Sequence, residues 1–531
     1  MKLPQALPQG QTRKEEALAA IPVSADSINE KRKLKKSLFR FDLIFFTVCA
    51  ILAIDTIGQS SSYGAQAIFW LVVSAVTFLI PYGLLTSELG TTFPVEGGPY
   101  EWVRLAFGHM AGAITAVLYW LSNPIWLGGT LAATAIAGMD ALWGTKIGGN
   151  TGLSIIIGLA FIWVAVMMNI LSLRSMKWVP NLGAAVKIGL FALFAILVLT
   201  SGAQHGFKGS LGGMFDGLGP AFIGVIGVLV FQWVGFELTS NAAEEMENPQ
   251  RDIPRAVTLA GLISALGYAV PIIGVILVLS TKDISNVSGF VAGYQAVVSN
   301  ALGSTAANVL NGIVGAAVVF ALLSSGTVWL MGSDRLMAIG ALQGSGPRRL
   351  GYFSKRFGTP VPVNVLSGIL ASLFLVANFL ITGGSLKNFF TIVLGLVIST
   401  TTFSYVLVFP ALVVLRRKYP NATRPYRVGG GTVGAWVVML LCEAYVVGAT
   451  IFSLWPNLFS DAVTKAVSVG GVSIDRGTYE LTVFIATAVM LAIAVAFYAV
   501  GRKHAVHDRW PDEGITADRE MEPAAAGMRR V

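Results

Sequence analysis

Charged side chains are scarce in this chain of 531 residues, at 12% against about a quarter in an average soluble domain. A water-soluble fold has no means of hiding the 54% that is hydrophobic. Cysteine is almost absent: Cys49 and Cys442 both lie inside apolar runs, so no disulfide framework is expected. Histidine numbers four, at 109, 205, 504 and 507, with no pair inside one apolar run. That spacing disfavours a metal centre, a cofactor site of that kind and a membrane-bound enzyme. No G-x-x-x-x-G-K-[ST] motif is present, which leaves ATP-driven chemistry without a phosphate cradle. Residues 1–40 lack the apolar stretch and small-residue cleavage site of a signal peptide.

What fills the chain instead is a series of apolar runs of about 20 residues, each enough to cross a hydrocarbon core of roughly 30 Å. The expected spans are 42–65, 67–89, 110–138, 152–171, 178–200, 217–242, 255–280, 307–333, 362–382, 387–415, 433–455 and 479–500. The pattern predicts an all-α polytopic membrane protein of about twelve helices. The 59 glycines fit close helix packing and interrupted helices.

The net charge of +9 is read as topology rather than nucleic-acid binding, because the basic residues occupy short loops. With a cytoplasmic amino terminus, that side receives the cluster from Lys31 to Arg40, then Arg174 and Lys177, Arg348 to Arg356, and Arg416 to Arg427. The opposite loops hold isolated ones such as Lys146, Lys208, Lys282, Lys387, Lys465 and Arg476. Both termini are therefore expected inside, in a plasma or inner membrane.

Two spans are interrupted in matching ways. The run FDLIFFTVCAILA gives way at Ile54 to IDTIGQSSSYG, and AFIGVIGVLV gives way to FQWVGFELTSN. Paired breaks five helices apart point to a transport site, so the backbone near Gly58 and Gly235 is expected to be non-helical. A broken helix frees N–H groups at one end and carbonyls at the other. Ile57, Gly58, Gln59, Ser60 and Ser61 are candidates to receive a carboxylate, and carbonyls near Ile54, Asp55 and Gln232 to accept an ammonium.

Three stretches carry a family resemblance: GFELTSNAAEEMENPQRDIPRAV from Gly235 to Val257, ELGTTFPVEGGPYEWVRLAFG from Glu88 to Gly108, and RPYRVGGGTVGAW from Arg424 to Trp436. Together they resemble the amino acid–polyamine–organocation transporters. The resemblance implies the LeuT-type fold: two inverted five-helix repeats, 41–200 and 201–416, two appended helices in 417–500, and polar tails at 1–40 and 501–531. It also implies that the two breaks hold substrate and that Phe231 and Trp233, before Gly235, close over it. The first break departs from the family's usual Gly-Ser-Gly, reading Gly58-Gln59-Ser60.

Ionisable residues at membrane depth are costly and mark function or a fixed partner. Asp55 is read as an amine-binding or proton-carrying carboxylate, with a structural pairing as the alternative. Glu237 is a proton-coupling candidate or a clamp on the broken helix, and Glu443 is favoured as structural. Lys187, deep in NLGAAVKIGLFALFAIL, is a proton-coupling candidate, with a permanently paired structural lysine as the alternative; it resembles the lysine that replaces a bound sodium in sodium-independent relatives, and Ser324, Ser325 and Thr327 are its expected partners. The acidic run Glu244, Glu245, Glu247 with Arg251, Asp252 and Arg255 reads as a salt-bridged loop before a helix starting at Pro254. The expected function is secondary transport of amino acids, proton-coupled, sodium-independent and by alternating access. A polyamine or organic-amine permease is the alternative, and a membrane nutrient sensor a third. The expected partners are a small-molecule substrate, protons and the lipid bilayer.

Overall fold

The computed structural model describes residues 40–171, 178–215, 220–246, 248–302, 304–456, 466–469 and 472–504. The basic cluster before Arg40, Arg174, Lys177, Glu247, Lys465 and the carboxy-terminal tail from residue 505 lie outside the described residues.

The chain runs through α1 (Arg40–Ile51), α2 (Asp55–Ser61), α3 (Gln66–Thr92), α4 (Gly98–Phe107), α5 (His109–Trp143), α6 (Thr151–Ile170) and α7 (Trp178–His205). It continues with α8 (Pro220–Trp233), a 3-10 segment (Phe236–Glu245), α9 (Pro249–Val278), α10 (Gly289–Ala301), α11 (Ser304–Leu342), α12 (Val361–Ile381), α13 (Leu386–Lys418), α14 (Gly431–Leu454) and α15 (Arg476–Gly501). Among the described residues, ten helices are long and apolar enough to cross a membrane, and α1 with α2 makes an eleventh, bent by 49°. The expected span 217–242 is α8 followed by the 3-10 segment, so its helix is too short to cross unaided. A two-stranded hairpin, β1 (Ala466–Val469) and β2 (Val472–Asp475), pairs Ala466 with Asp475 antiparallel before α15.

Large apolar side chains face outward along the long helices, among them Leu199 at 66% and Leu373 at 63% exposure. Water would make that arrangement unstable, and a bilayer is the solvent that matches it. Polar side chains are instead gathered inside, which sets up the site.

Two irregularities aim inward-facing residues. In α3 the backbone widens to a π-helical turn at Ala75–Leu79, ahead of Pro81, which has no N–H to donate. In α5 a second π turn at Leu127–Leu131 follows Pro124. There the lack of side chains at Gly128 and Gly129 lets α5 press on α12 and α13: a Cβ would stand 2.4 Å from the Ala371 carbonyl and 2.1 Å from Val393. Trp126 and Thr130 flank this contact.

Two boundaries differ from the sequence reading. Helix α9 starts at Pro249 and contains Pro254, because the Asn248 carbonyl accepts the amides of Arg251 and Asp252 and opens the first turn five residues earlier. Helix α11 continues past 333 to Leu342, which brings Asp334 and Arg335 into the buried interior.

Candidate functional site

The first break lies at Leu52–Ile54, between α1 and α2, and Gly58 is helical within α2, a correction to the sequence reading. The glycine serves a different end: a Cβ there would sit 2.7 Å from the Ser285 carbonyl and 2.9 Å from the Gly289 amide, so α2 packs backbone to backbone against the start of α10. Protein groups also take up most of the carbonyls that the break releases. Tyr268 of α9 donates its hydroxyl to the Ile51 carbonyl at 2.5 Å and accepts from the Ala53 amide at 2.8 Å, splinting the unwound turn. Trp329 donates to the Ala50 carbonyl at 2.9 Å, and Thr56 to the Ala53 carbonyl at 3.0 Å. The Ile54 carbonyl accepts from the Ile57 amide at 3.2 Å. That bond occupies one of the two lone pairs of the Ile54 carbonyl.

Side chains form the more open chemistry. Asp55 is fully buried, and its Oδ2 accepts from the Trp126 indole at 2.9 Å and from Thr130 at 2.7 Å. Its Oδ1 has no hydrogen-bond partner among the described residues. The same holds for the Oε1 atoms of Gln59 and Gln232 and the hydroxyls of Ser60 and Ser61, all buried. Gln232 reaches across from the second break to donate to Thr56 at 3.0 Å. Trp126 stands edge-on to Phe231, with ring centroids 5.8 Å apart, and edge-on to Trp329 at 6.0 Å. A buried carboxylate with one unpartnered oxygen, bonded through the other to an indole that itself packs on two further rings, offers both charge and aromatic surface to an organic cation.

The second break lies at Val234–Gly235, between α8 and the 3-10 segment. Gly235 has φ +132°, open only to glycine at low cost, and a Cβ there would come within 3.0 Å of Ile51 and 3.3 Å of Trp329. The two breaks therefore touch. Trp233 is anchored beside this contact: its indole donates to Ser74 of α3 at 2.9 Å and it packs edge-on to Tyr268. Two residues after Gly235, Glu237 accepts from three tyrosines, Tyr82 of α3, Tyr119 of α5 at 2.7 Å and Tyr405 of α13 at 2.5 Å. Both oxygens of this buried carboxylate are thereby occupied, and Tyr82 also accepts the Gly235 amide at 3.2 Å.

Lys187 of α7 is fully buried and donates to the Cys49 carbonyl of α1 and the Ser325 hydroxyl of α11, each at 2.5 Å. Ser324 takes part through Cys49, whose Sγ lies 3.4 Å away. Thr327 is turned elsewhere, to the Leu323 carbonyl at 2.8 Å and the Met168 sulfur, since two residues on from Ser325 is about 200° round the helix. Glu443 is mid-helix in α14, half-buried, with Oε2 lacking a partner among the described residues.

Two polar centres escaped the sequence reading. Asp334 of α11 accepts from Trp120 of α5 at 3.1 Å, Ser367 of α12 at 2.7 Å and Asn169 of α6 at 3.0 Å, and so joins four helices. Glu88 at the end of α3 accepts two bonds from Arg416, at 2.7 and 2.5 Å, and the Val428 amide at 2.7 Å, with Arg424 at 3.5 Å. The last cluster unites two of the motif stretches quoted above, Glu88–Gly108 and Arg424–Trp436.

Comparison with known proteins gives a family model described as amino acid permease, matching residues 38–474. A Lactococcus lactis protein named "Probable agmatine/putrescine antiporter" is 31% identical over 82% of this chain and 91% of its own length. The branched-chain amino acid permease of Bacillus subtilis is 24% identical over 78% of this chain and 88% of its own. A rabbit protein named as the small subunit 2 of a large neutral amino acids transporter is 23% identical, over 78% and 74%.

Proposed function

The chain belongs to the amino acid permease family and is a membrane transporter, and on that premise we propose that it carries a small organic amine, recognised through its ammonium group by Asp55. The observation that carries this reading is the unpartnered Oδ1 of buried Asp55, whose other oxygen is held by Trp126. The relative named for agmatine and putrescine supports the same class.

An amino acid is the second reading, favoured by the buried, unpartnered hydroxyls of Ser60 and Ser61 on α2, which offer donors to a carboxylate. In either case the cycle is alternating access around the touching breaks. Lys187 stands where a bound cation would tie α1 to α11, which supports sodium independence, and Glu237 beside the second break supports proton coupling. Both termini lie in the cytoplasm of a cell whose plasma or inner membrane holds the protein, arranged as two five-helix repeats with two appended helices. Uptake of radiolabelled putrescine, agmatine and neutral amino acids into proteoliposomes tests the proposal. Saturable putrescine or agmatine uptake is expected; uptake of amino acids alone would put the second reading first.

A further inference from the structure

A cavity of about 330 Å³ lies on the flank of the bundle between α3 and α9, away from Asp55. Its walls include Val76 and Ile80 of α3 and Leu262 and Ala265 of α9, and its floor is the Phe236 ring. Exposures of 58% at Val76, 55% at Ile80 and 61% at Leu262 put its mouth on the lipid-facing surface. Two glycines hold the ring in place: a Cβ on Gly83 would stand 3.5 Å from it, and one on Gly261 3.1 Å. Phe236 directly follows Gly235 of the second break and precedes Glu237, so the groove floor is part of the segment that alternating access must move.

One end of the groove is polar. Ser87 and Tyr426 line it there. Arg427, next to Tyr426, is exposed, and Arg255 lies one helical turn before the lining residue Thr258. The nearby Glu88 carboxylate is already neutralised by Arg416 at 2.5 Å and Arg424 at 3.5 Å, so it does not cancel these two arginines. From Val76 to Ser87 is roughly 16 Å of helix, enough for most of an acyl chain.

We propose that this groove is a site for an anionic phospholipid, with one acyl chain along α3 and α9 against Phe236 and the phosphate at Arg427 and Arg255. The hydrocarbon side follows from position, since a groove open to the bilayer core is filled from it. The headgroup follows from charge: an arginine at the membrane surface favours an anionic over a zwitterionic lipid by about fivefold. An occupied groove braces Phe236 from outside, which places the lipid in contact with the broken helix without reaching the substrate site. This inference does not depend on which solute is carried.

The test is native mass spectrometry of the purified full-length chain after delipidation and re-addition of phosphatidylglycerol or phosphatidylcholine. Wild-type protein is expected to retain phosphatidylglycerol in preference. Ala265→Trp, which fills the groove, should lose both lipids, and Arg427→Gln, a change at an exposed loop residue, should lower phosphatidylglycerol retention about fivefold while sparing phosphatidylcholine. Equal retention of the two lipids by the wild type, or retention unchanged in Arg427→Gln, overturns the proposal. Leu262→Cys guards against the other occupant: disulfide-linked dimers in vesicles would assign the face to a second copy of this chain, and their absence is expected.

Discussion

The Lys187 ammonium lies 2.5 Å from the Cys49 carbonyl, one turn before the first helix breaks. Its second bond, to Ser325, ties α1 to α11 across α7. A cation held on a side chain has no need of one from solution. Uptake with choline in place of sodium is therefore expected to equal uptake in sodium. Lys187→Met, which keeps much of the stem, leaves the Cys49 carbonyl and the Ser325 hydroxyl without their donor, at about 1–3 kcal/mol for each buried group. Uptake in that variant should fall at least tenfold at unchanged expression, and wild-type uptake would reduce Lys187 to packing.

At the second break the backbone itself is the constraint. Gly235→Ala forces a side chain onto φ +132° and to 3.0 Å from Ile51. The expected cost is about 1–3 kcal/mol of local strain, seen as a lowered melting temperature with transport lost. A variant as stable and active as the wild type would mean that the two breaks do not need to touch.

The three tyrosines round Glu237 make a sharper test of coupling than the carboxylate alone. Glu237→Gln should abolish uptake driven by an inward pH gradient while leaving exchange of internal for external solute in place. Tyr119→Phe removes one donor, at 2.7 Å, and should shift the pH dependence of uptake without changing which solutes are carried. A pH profile identical to wild type in both variants would assign Glu237 to clamping the helix.

Asp334 is expected to act on stability rather than recognition. In Asp334→Asn the amide replaces an acceptor that Trp120, Ser367 and Asn169 all donate to, leaving at least one of those donors unpaired for about 1–3 kcal/mol. Thermal unfolding followed by size-exclusion should show the loss, with substrate affinity unchanged. Reduced affinity at wild-type stability would move Asp334 into the site.

Much of this arrangement was legible in the sequence because charge inside an apolar run is conspicuous. Asp55, Lys187 and Glu237 stand out on that ground, and Gly235 on its place after a long apolar run. The partners were not legible. Tyr268, Tyr82, Tyr119 and Tyr405 sit in apolar runs where an aromatic residue equally marks an interface or packing, and only three-dimensional proximity reveals what their hydroxyls reach. Asp334 was missed because the apolar run was ended at 333, one residue before it, although the helix continues to Leu342. Gly58 misled for a related reason: a glycine among polar residues suggests an unwound chain, yet its use here is to admit the backbone of residues 285–289.

The central claim is that Asp55 holds the ammonium group of the transported solute. Titration calorimetry of putrescine and agmatine against detergent-purified wild type and Asp55→Asn measures it without depending on coupling or orientation. A buried charge-assisted bond contributes about 1.5–3 kcal/mol, so the variant is expected to bind at least tenfold more weakly. Binding of either amine by Asp55→Asn with wild-type affinity would contradict the account.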